Sequence, residues 1–188
     1  ILRGIAPQTF SQFRINPEEF ILKAARLIND EKATQIIEHI TYNRLDAAYD
    51  QDVFTRATLR GKLDVNAMEA NRSLYSHVIY DSDNERRFAQ ELDVSDQVAV
   101  YVKLPGSFYI STPVGKYNPD WAIAFNEGSV KHIYFVAETK GNLDTMELRG
   151  VENAKIECAK KHFAAISNGS VVYSVVDNYS TLMQLVSN

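Results

Sequence analysis

The chain has 188 residues, 45% hydrophobic and 23% charged, with a formal net charge of −4 and a single cysteine. That length supports one sizeable core with room for a smaller attached subdomain, and one cysteine excludes a disulfide framework or a Cys-rich zinc site. The negative balance argues against a nonspecific nucleic-acid binder, which is normally basic. The charge is uneven, however: residues 1–99 hold 12 Lys/Arg against 16 Asp/Glu, and residues 100–165 hold 8 against 7, so DNA contact by the C-terminal half stays open. No run of about 18 apolar residues predicts a membrane span, and "ILRGIAPQTF" lacks the pattern of a signal peptide. With the lone thiol, these features predict a cytoplasmic protein. The chain begins at Ile1 rather than Met, which suits a piece of a longer polypeptide.

Taken in chain order, "RINPEEFILKAARLIND" reads as a helix. Asn16 is its cap, Pro17 suits the first helical position, and Glu18 and Glu19 suit the positive end of the dipole. "EKATQIIEHITYNRL" predicts a second helix, and residues 49–75 predict loops with short helical turns. These segments make residues 1–75 a helical leader. From residue 76 the texture changes. "HVIYD" (77–81) is a short strand, "SDNERRFAQELD" (82–93) a helix, "QVAVYVKLP" (97–105) and "SFYIST" (107–112) strands. An apolar hairpin of "YNPDWAIAF" (117–125) and "IYFVAETKG" (133–141) follows. A helix over 146–167, a strand over 170–177 and a closing helix complete the pattern. Mixed order of this kind predicts an α/β layer fold, with helices covering a central sheet over residues 76–188.

The hairpin carries charges that an interior strand pair would exclude unless something compensated them. A turn centred on residue 129 gives opposed residues an index sum of 258. That sum sets Asp120 against Glu138, with Lys140 further along the same face. Two carboxylates so close call for a cation between them, and hard oxygen donors suit Mg²⁺. A coordinated water gains acidity there, and an adjacent ammonium offsets charge on a phosphoryl group. The same residues also fit solvated ion pairs on an exposed strand. Glu85 falls on the apolar side of its helix with Phe88, Ala89 and Leu92. It fits a further metal ligand, and equally a buried cap or an ion-pair partner of Arg86 or Arg87. Glu91 points to solvent. Trp121 reads as core, Cys158 as an inert residue of an apolar stripe, and the four histidines form no ligand spacing.

"VIYDSDNERRFAQELD", "VAVYVKLPGSFYISTPVGKYNPDWAIAF", "HIYFVAETKG" and "LRGVENAKIECAKKHF" resemble the C-terminal nuclease portion of the restriction (Res) subunits of type III restriction–modification enzymes. "INPEEFI" and "EHITYNRLD" extend the resemblance into the leader. It implies a PD-(D/E)xK fold: a mixed sheet flanked by helices, preceded by a helical region. It also implies a magnesium-dependent endonuclease acting on double-stranded DNA, with Asp120 and Glu138 as metal ligands, Glu85 as an additional one, and Lys140 positioning the attacking water. In such subunits an ATP-dependent helicase motor precedes the nuclease in the same polypeptide, and a separate methyltransferase (Mod) subunit reads the sequence. This chain has no phosphate loop, so ATP would belong to the motor alone. Lys116 and Tyr117 are expected to line the DNA groove. Lys155 fits either a contact to the scissile phosphate or a snorkelling surface cation. Two other readings suit the same residues: a PD-(D/E)xK nuclease of the resolvase or repair type, and a noncatalytic module that docks DNA or a partner subunit.

Overall fold

The computed structural model describes residues 4, 6–43, 61–63, 65–126, 133–138, 146–167 and 171–187, and the chain divides into two compact units, residues 1–40 and 41–188. The first unit holds helices α1 (Pro7–Ile15) and α2 (Pro17–His39). Asn16 separates them. Its Oδ1 accepts the Glu19 N–H at 3.1 Å and caps α2, and the proline after it disfavours helical backbone at Asn16, which ends α1. Lys23 and Glu19 pair at 2.6 Å one turn into α2. Two helices were expected within residues 14–45, but α2 runs through the anticipated break, because residues 18–39 contain neither Gly nor Pro. Helix α1 was not expected. Its Phe13 packs between Phe10 and Phe20, with centroids 5.7 and 5.6 Å away.

The second unit is the mixed α/β structure anticipated from the element order. Its elements are β1 (Ala67–Glu69), β2 (His77–Ile79), α3 (Asp83–Val94), β3 (Val98–Lys103), β4 (Ile110–Thr112), β5 (Gly115–Tyr117), β6 (Trp121–Phe125), β7 (Ile133–Glu138), α4 (Met146–Ile166), β8 (Val171–Val176) and α5 (Tyr179–Val186). The central sheet has the order β3-β6-β7-β8. Strands β3, β6 and β7 are antiparallel neighbours. Strand β8 runs parallel to β7 and needs a crossover, which α4 supplies.

Both faces of the sheet are covered, so the central strands are apolar on both sides. Trp121, Ile123, Tyr101 and Val176 pack with Phe88, Ala89 and Leu92 of α3 and with Leu182 and Val186 of α5. On the other face Tyr173 packs with Ala159 and Phe163 of α4 and with Ile110 and Tyr117 of the β4–β5 hairpin. That hairpin turns at Gly115, whose φ of 110° a side chain would strain. The sequence reading anticipated β4 but missed β5. Trp121 and Cys158 are fully buried, as the apolar stripes predicted.

Residues 61–75, assigned from sequence to the leader, are structurally part of this second unit. Strand β1 pairs with β2. The Asp93 carboxylate at the end of α3 accepts the backbone N–H groups of Asn71 and Arg72, each at 2.8 Å. The segment then runs beside β3: the Leu74 N–H donates to the Tyr101 carbonyl at 2.8 Å, and the Tyr101 N–H to the Arg72 carbonyl at 3.1 Å. This covers what would otherwise be an open sheet edge. No helix among the described residues is long and apolar enough to cross a membrane.

Two measurements test this packing. Ile123→Ala, deleting a fully buried side chain, should lower unfolding stability by about 2–5 kcal/mol in urea titrations. His162 on α4 lies edge-on to Tyr42 at 5.0 Å, with Nδ1 buried and unbonded, and burial holds its pKa below the usual 6.5. The unfolded chain therefore takes up this proton first. The contribution of the neutral imidazole is complete above about pH 6.5 and is lost as pH falls through the lower folded-state value. His162→Phe should flatten that acid-side decline in the thermal midpoint.

Candidate active site

Three contacts fix the backbone that carries Asp120. The Leu104 N–H at the end of β3 donates to the Asp120 carbonyl at 2.8 Å. The Asn118 side-chain amide donates to the Gly106 carbonyl at 3.2 Å and to that of Phe108. Pro119 between them is fully buried. The sequence Asn-Pro-Asp is thus a rigid corner. Asn118 clamps the loop after β3, Pro119 fills the core, and Asp120 emerges half-buried just before β6.

The ladder differs from the expected register by one residue. Trp121 pairs with Val136, and Ala124 with Ile133, so the index sum is 257 rather than 258. Continued one step, Asp120 stands in line with Ala137 instead of Glu138. The expectation that Asp120 and Glu138 oppose each other directly is therefore corrected. An even number of residues connects the last pair, where a turn centred on residue 129 required an odd number. Both acids still come to the same end of adjacent strands, since β6 starts where β7 finishes. The side chain of Glu138 and all of Lys140 lie outside the described residues.

Tyr117, expected to line a DNA groove, is instead 4% exposed. Its hydroxyl meets that of Tyr173 at 2.5 Å, the rings lying edge to face. Burial pushes both phenols up, and the carboxylates of Asp120 and Glu152 add to the rise. Asp120, just before β6, and Glu152, on α4, therefore act on the same phenol pair, an association the sequence did not suggest. Lys155 is partly buried and sits 3.8 Å from Glu152 across one turn of α4. Lys116 is exposed, with its ammonium 3.8 Å from the centre of the Tyr109 ring, a cation–π contact.

Glu85 is buried as the helical periodicity required, at 2% exposure, and Glu91 is exposed. Its partner is neither Arg86 nor Arg87. One oxygen, Oε2, accepts the Asp81 N–H at 2.6 Å and the Lys103 ammonium at 2.6 Å. The Ser82 hydroxyl accepts the Glu85 N–H at 3.2 Å. Ser82-x-x-Glu85 is therefore a close relative of the capping box, and that spacing is the signal that identifies the cap from sequence. Lys103 also reaches Asp81 Oδ2 at 2.8 Å. Burial alone would lower the Lys103 pKa, but the bonds and charges of Asp81 and Glu85 outweigh it and hold it raised. The sequence reading missed Lys103. It is the polar end of an otherwise apolar strand, and its register partner is Trp121, the residue after Asp120. A cleft of about 220 Å³ opens beside it, lined by Tyr75, His77, Asp81, Lys103 and Pro105 among others.

Among the described residues no three acidic, His or Cys side chains are grouped to hold a metal ion. The chemistry of the donors at Asp120 and Glu138, two carboxylates, fits a hard divalent cation, and their backbones lie at the same end of adjacent strands. It does not fit at Glu85, whose Oε2 already serves two donors.

A family model described as an endonuclease domain matches residues 71–179, more than half the chain. No curated protein and no solved structure matches.

Removing Lys103 isolates a buried carboxylate. Lys103→Met should cost about 3–5 kcal/mol of unfolding stability, and Glu85→Leu in the same chain should recover most of it, because replacing a whole buried pair by apolar groups is near neutral.

Proposed function

Because the chain belongs to the endonuclease-domain family, we propose that it hydrolyses phosphodiester bonds of double-stranded DNA with Mg²⁺, as the nuclease part of a type III restriction enzyme. The observation that carries this reading is the rigid Asn118-Pro119-Asp120 corner, set at the end of the sheet where Glu138 closes the neighbouring strand. In such a polypeptide the ATP-driven helicase motor would precede residue 1, and the methyltransferase subunit would supply sequence recognition. The setting would be the cytoplasm.

Asp120 and Glu138 would hold the ion. When bound, it supplies acidity to a coordinated water and charge stabilisation to the phosphoryl oxygens. Lys140, two residues beyond Glu138, would orient the attacking water through its ammonium and offset the charge gathering on the phosphoryl group. The clamp on Asp120 gives the carboxylate a fixed backbone, which is what a reaction dependent on alignment requires. Lys116, exposed on β5, and Lys155, on the helix that carries Glu152, would contact phosphates flanking the cut and so set position rather than sequence preference.

The test is nicking of supercoiled plasmid with Mg²⁺ and with chelator. Asp120→Ala and Lys140→Ala should each slow cleavage about 100-fold or more. Cleavage by the intact enzyme that is indifferent to Asp120→Ala would sink the reading. Lys116→Ala should weaken DNA binding similarly for all sequences and reduce its salt dependence, as loss of one phosphate contact does.

A further inference from the structure

Residues 104–118 contain no Asp or Glu, in a chain that has 24 acidic residues. This stretch holds the β4–β5 hairpin and the loop before it, and it runs into the Asn-Pro-Asp corner. The hairpin has one covered face and one outward face. Ile110 and its register partner Tyr117 are buried with Ala159 and Phe163 of α4, so alternation turns the next pair, Ser111 and Lys116, outward, and both are exposed. The Lys116 ammonium lies 3.8 Å from the centre of the half-buried Tyr109 ring, which places that ring on the outward face as well. Lys155 and Lys160 of α4 each have a glutamate one turn away, whereas among the described residues no carboxylate pairs with Lys116. Asn118 ties this surface to the corner, because its amide donates to the Gly106 carbonyl at 3.2 Å and to that of Phe108, the residue before Tyr109.

We propose that the outward face of the β4–β5 hairpin, with Tyr109, Ser111 and Lys116, is the surface by which the endonuclease grips the DNA backbone, Tyr109 holding the Lys116 ammonium in place. This deepens the DNA-cleaving reading above and rests on it. The Lys116 ammonium and the Ser111 hydroxyl are donors suited to phosphate oxygens, and a surface without carboxylates does not repel them. A ring beneath the ammonium attracts it and restricts a side chain that would otherwise lose its rotamer freedom on binding. Since the inner face is packed on α4, the hairpin has a single face to offer, and the donors on it serve phosphates rather than bases. Asp120 lies four positions after Lys116. That is at most about 14 Å of extended backbone, or about four base pairs of duplex. The grip therefore falls beside the cut, and the Asn118 clamp sets its distance from the Asp120 corner during folding.

The test measures binding of a fluorescent DNA duplex to the full 188-residue chain in chelator, by anisotropy over a range of salt. Tyr109→Leu should weaken binding about 2–5-fold and leave the salt slope unchanged, because no charge is lost. Tyr109→Phe, which keeps the ring, should bind within about twofold of the wild type. Tyr109→Leu/Lys116→Ala should bind no more weakly than Lys116→Ala alone, since the ring acts through the ammonium. Placement is read separately. Cys158 is fully buried, so a photocrosslinker on Ser111→Cys labels that position alone and should attach to the duplex. The same reagent on Glu91→Cys, exposed on α3, should not. Crosslinking from Glu91→Cys in place of Ser111→Cys overturns the proposal. So does unchanged binding in Tyr109→Leu, or additive losses in the double variant. In those cases the cleavage reading stands as long as nicking depends on Asp120. A wild type that binds no duplex also overturns the proposal, and the cleavage reading falls with it if supercoiled plasmid is left intact too.

Discussion

The bond from the Leu104 N–H to the Asp120 carbonyl is a single backbone contact, yet it joins everything that matters for the site. On one side it continues the β3–β6 ladder by one step. On the other it anchors an aspartate that lies outside any regular element. The Asn118 amide and the buried ring of Pro119 restrict the same corner. A carboxylate held this way loses little freedom when it takes up a ligand, because its backbone was ordered during folding. The core beneath it is dense in aromatics. Trp121 lies 5.6 Å from Phe88 and 6.2 Å from Tyr101, so the strand carrying the site is seated against both a helix and a neighbouring strand.

The parts of the fold legible in the sequence were those whose signals are local. Helix α3 announces itself through Ser82-x-x-Glu85 and the 85-88-89-92 stripe, and its buried residues are those four. Strands β3, β6, β7 and β8 are apolar runs between turn residues, and they form the central sheet. Non-local facts were less legible. Register depends on how many residues close a hairpin, and an apolar strand such as "WAIAF" fits either of two adjacent alignments. The partner of Glu85 was sought within its own helix, whereas Lys103 lies 18 residues away on a strand whose orientation only pairing reveals. Tyr117 misled for a similar reason. Next to a lysine and before Asn-Pro-Asp it resembles a groove residue, but strand alternation turns it inward to Tyr173. The extent of the second unit was hidden because residues 70–76 pair through backbone groups, which leave little trace in side-chain pattern.

Seen as a whole, the acidic end of the sheet is organised by two different means of tolerating negative charge. Glu85 and Asp81 are neutralised by Lys103 within the protein. Asp120 and Glu152 act on a pair of phenols, whose ionisation they oppose, and Glu152 has Lys155 a turn away. The first arrangement is closed and apt for support. The second lies beside the Tyr117–Tyr173 pair under α4.

The parallel pairing of β7 with β8 has a consequence for how the molecule is made. Strand β7 can dock on β6 as soon as residue 138 is available, but its other edge stays bare until α4 has been synthesised and β8 returns beside it. During translation that edge is an adhesive surface at the centre of the future sheet, closed only by the most sequence-distant pairing in it. Slow codons or truncation between residues 138 and 171 would therefore favour chain-to-chain association over productive folding.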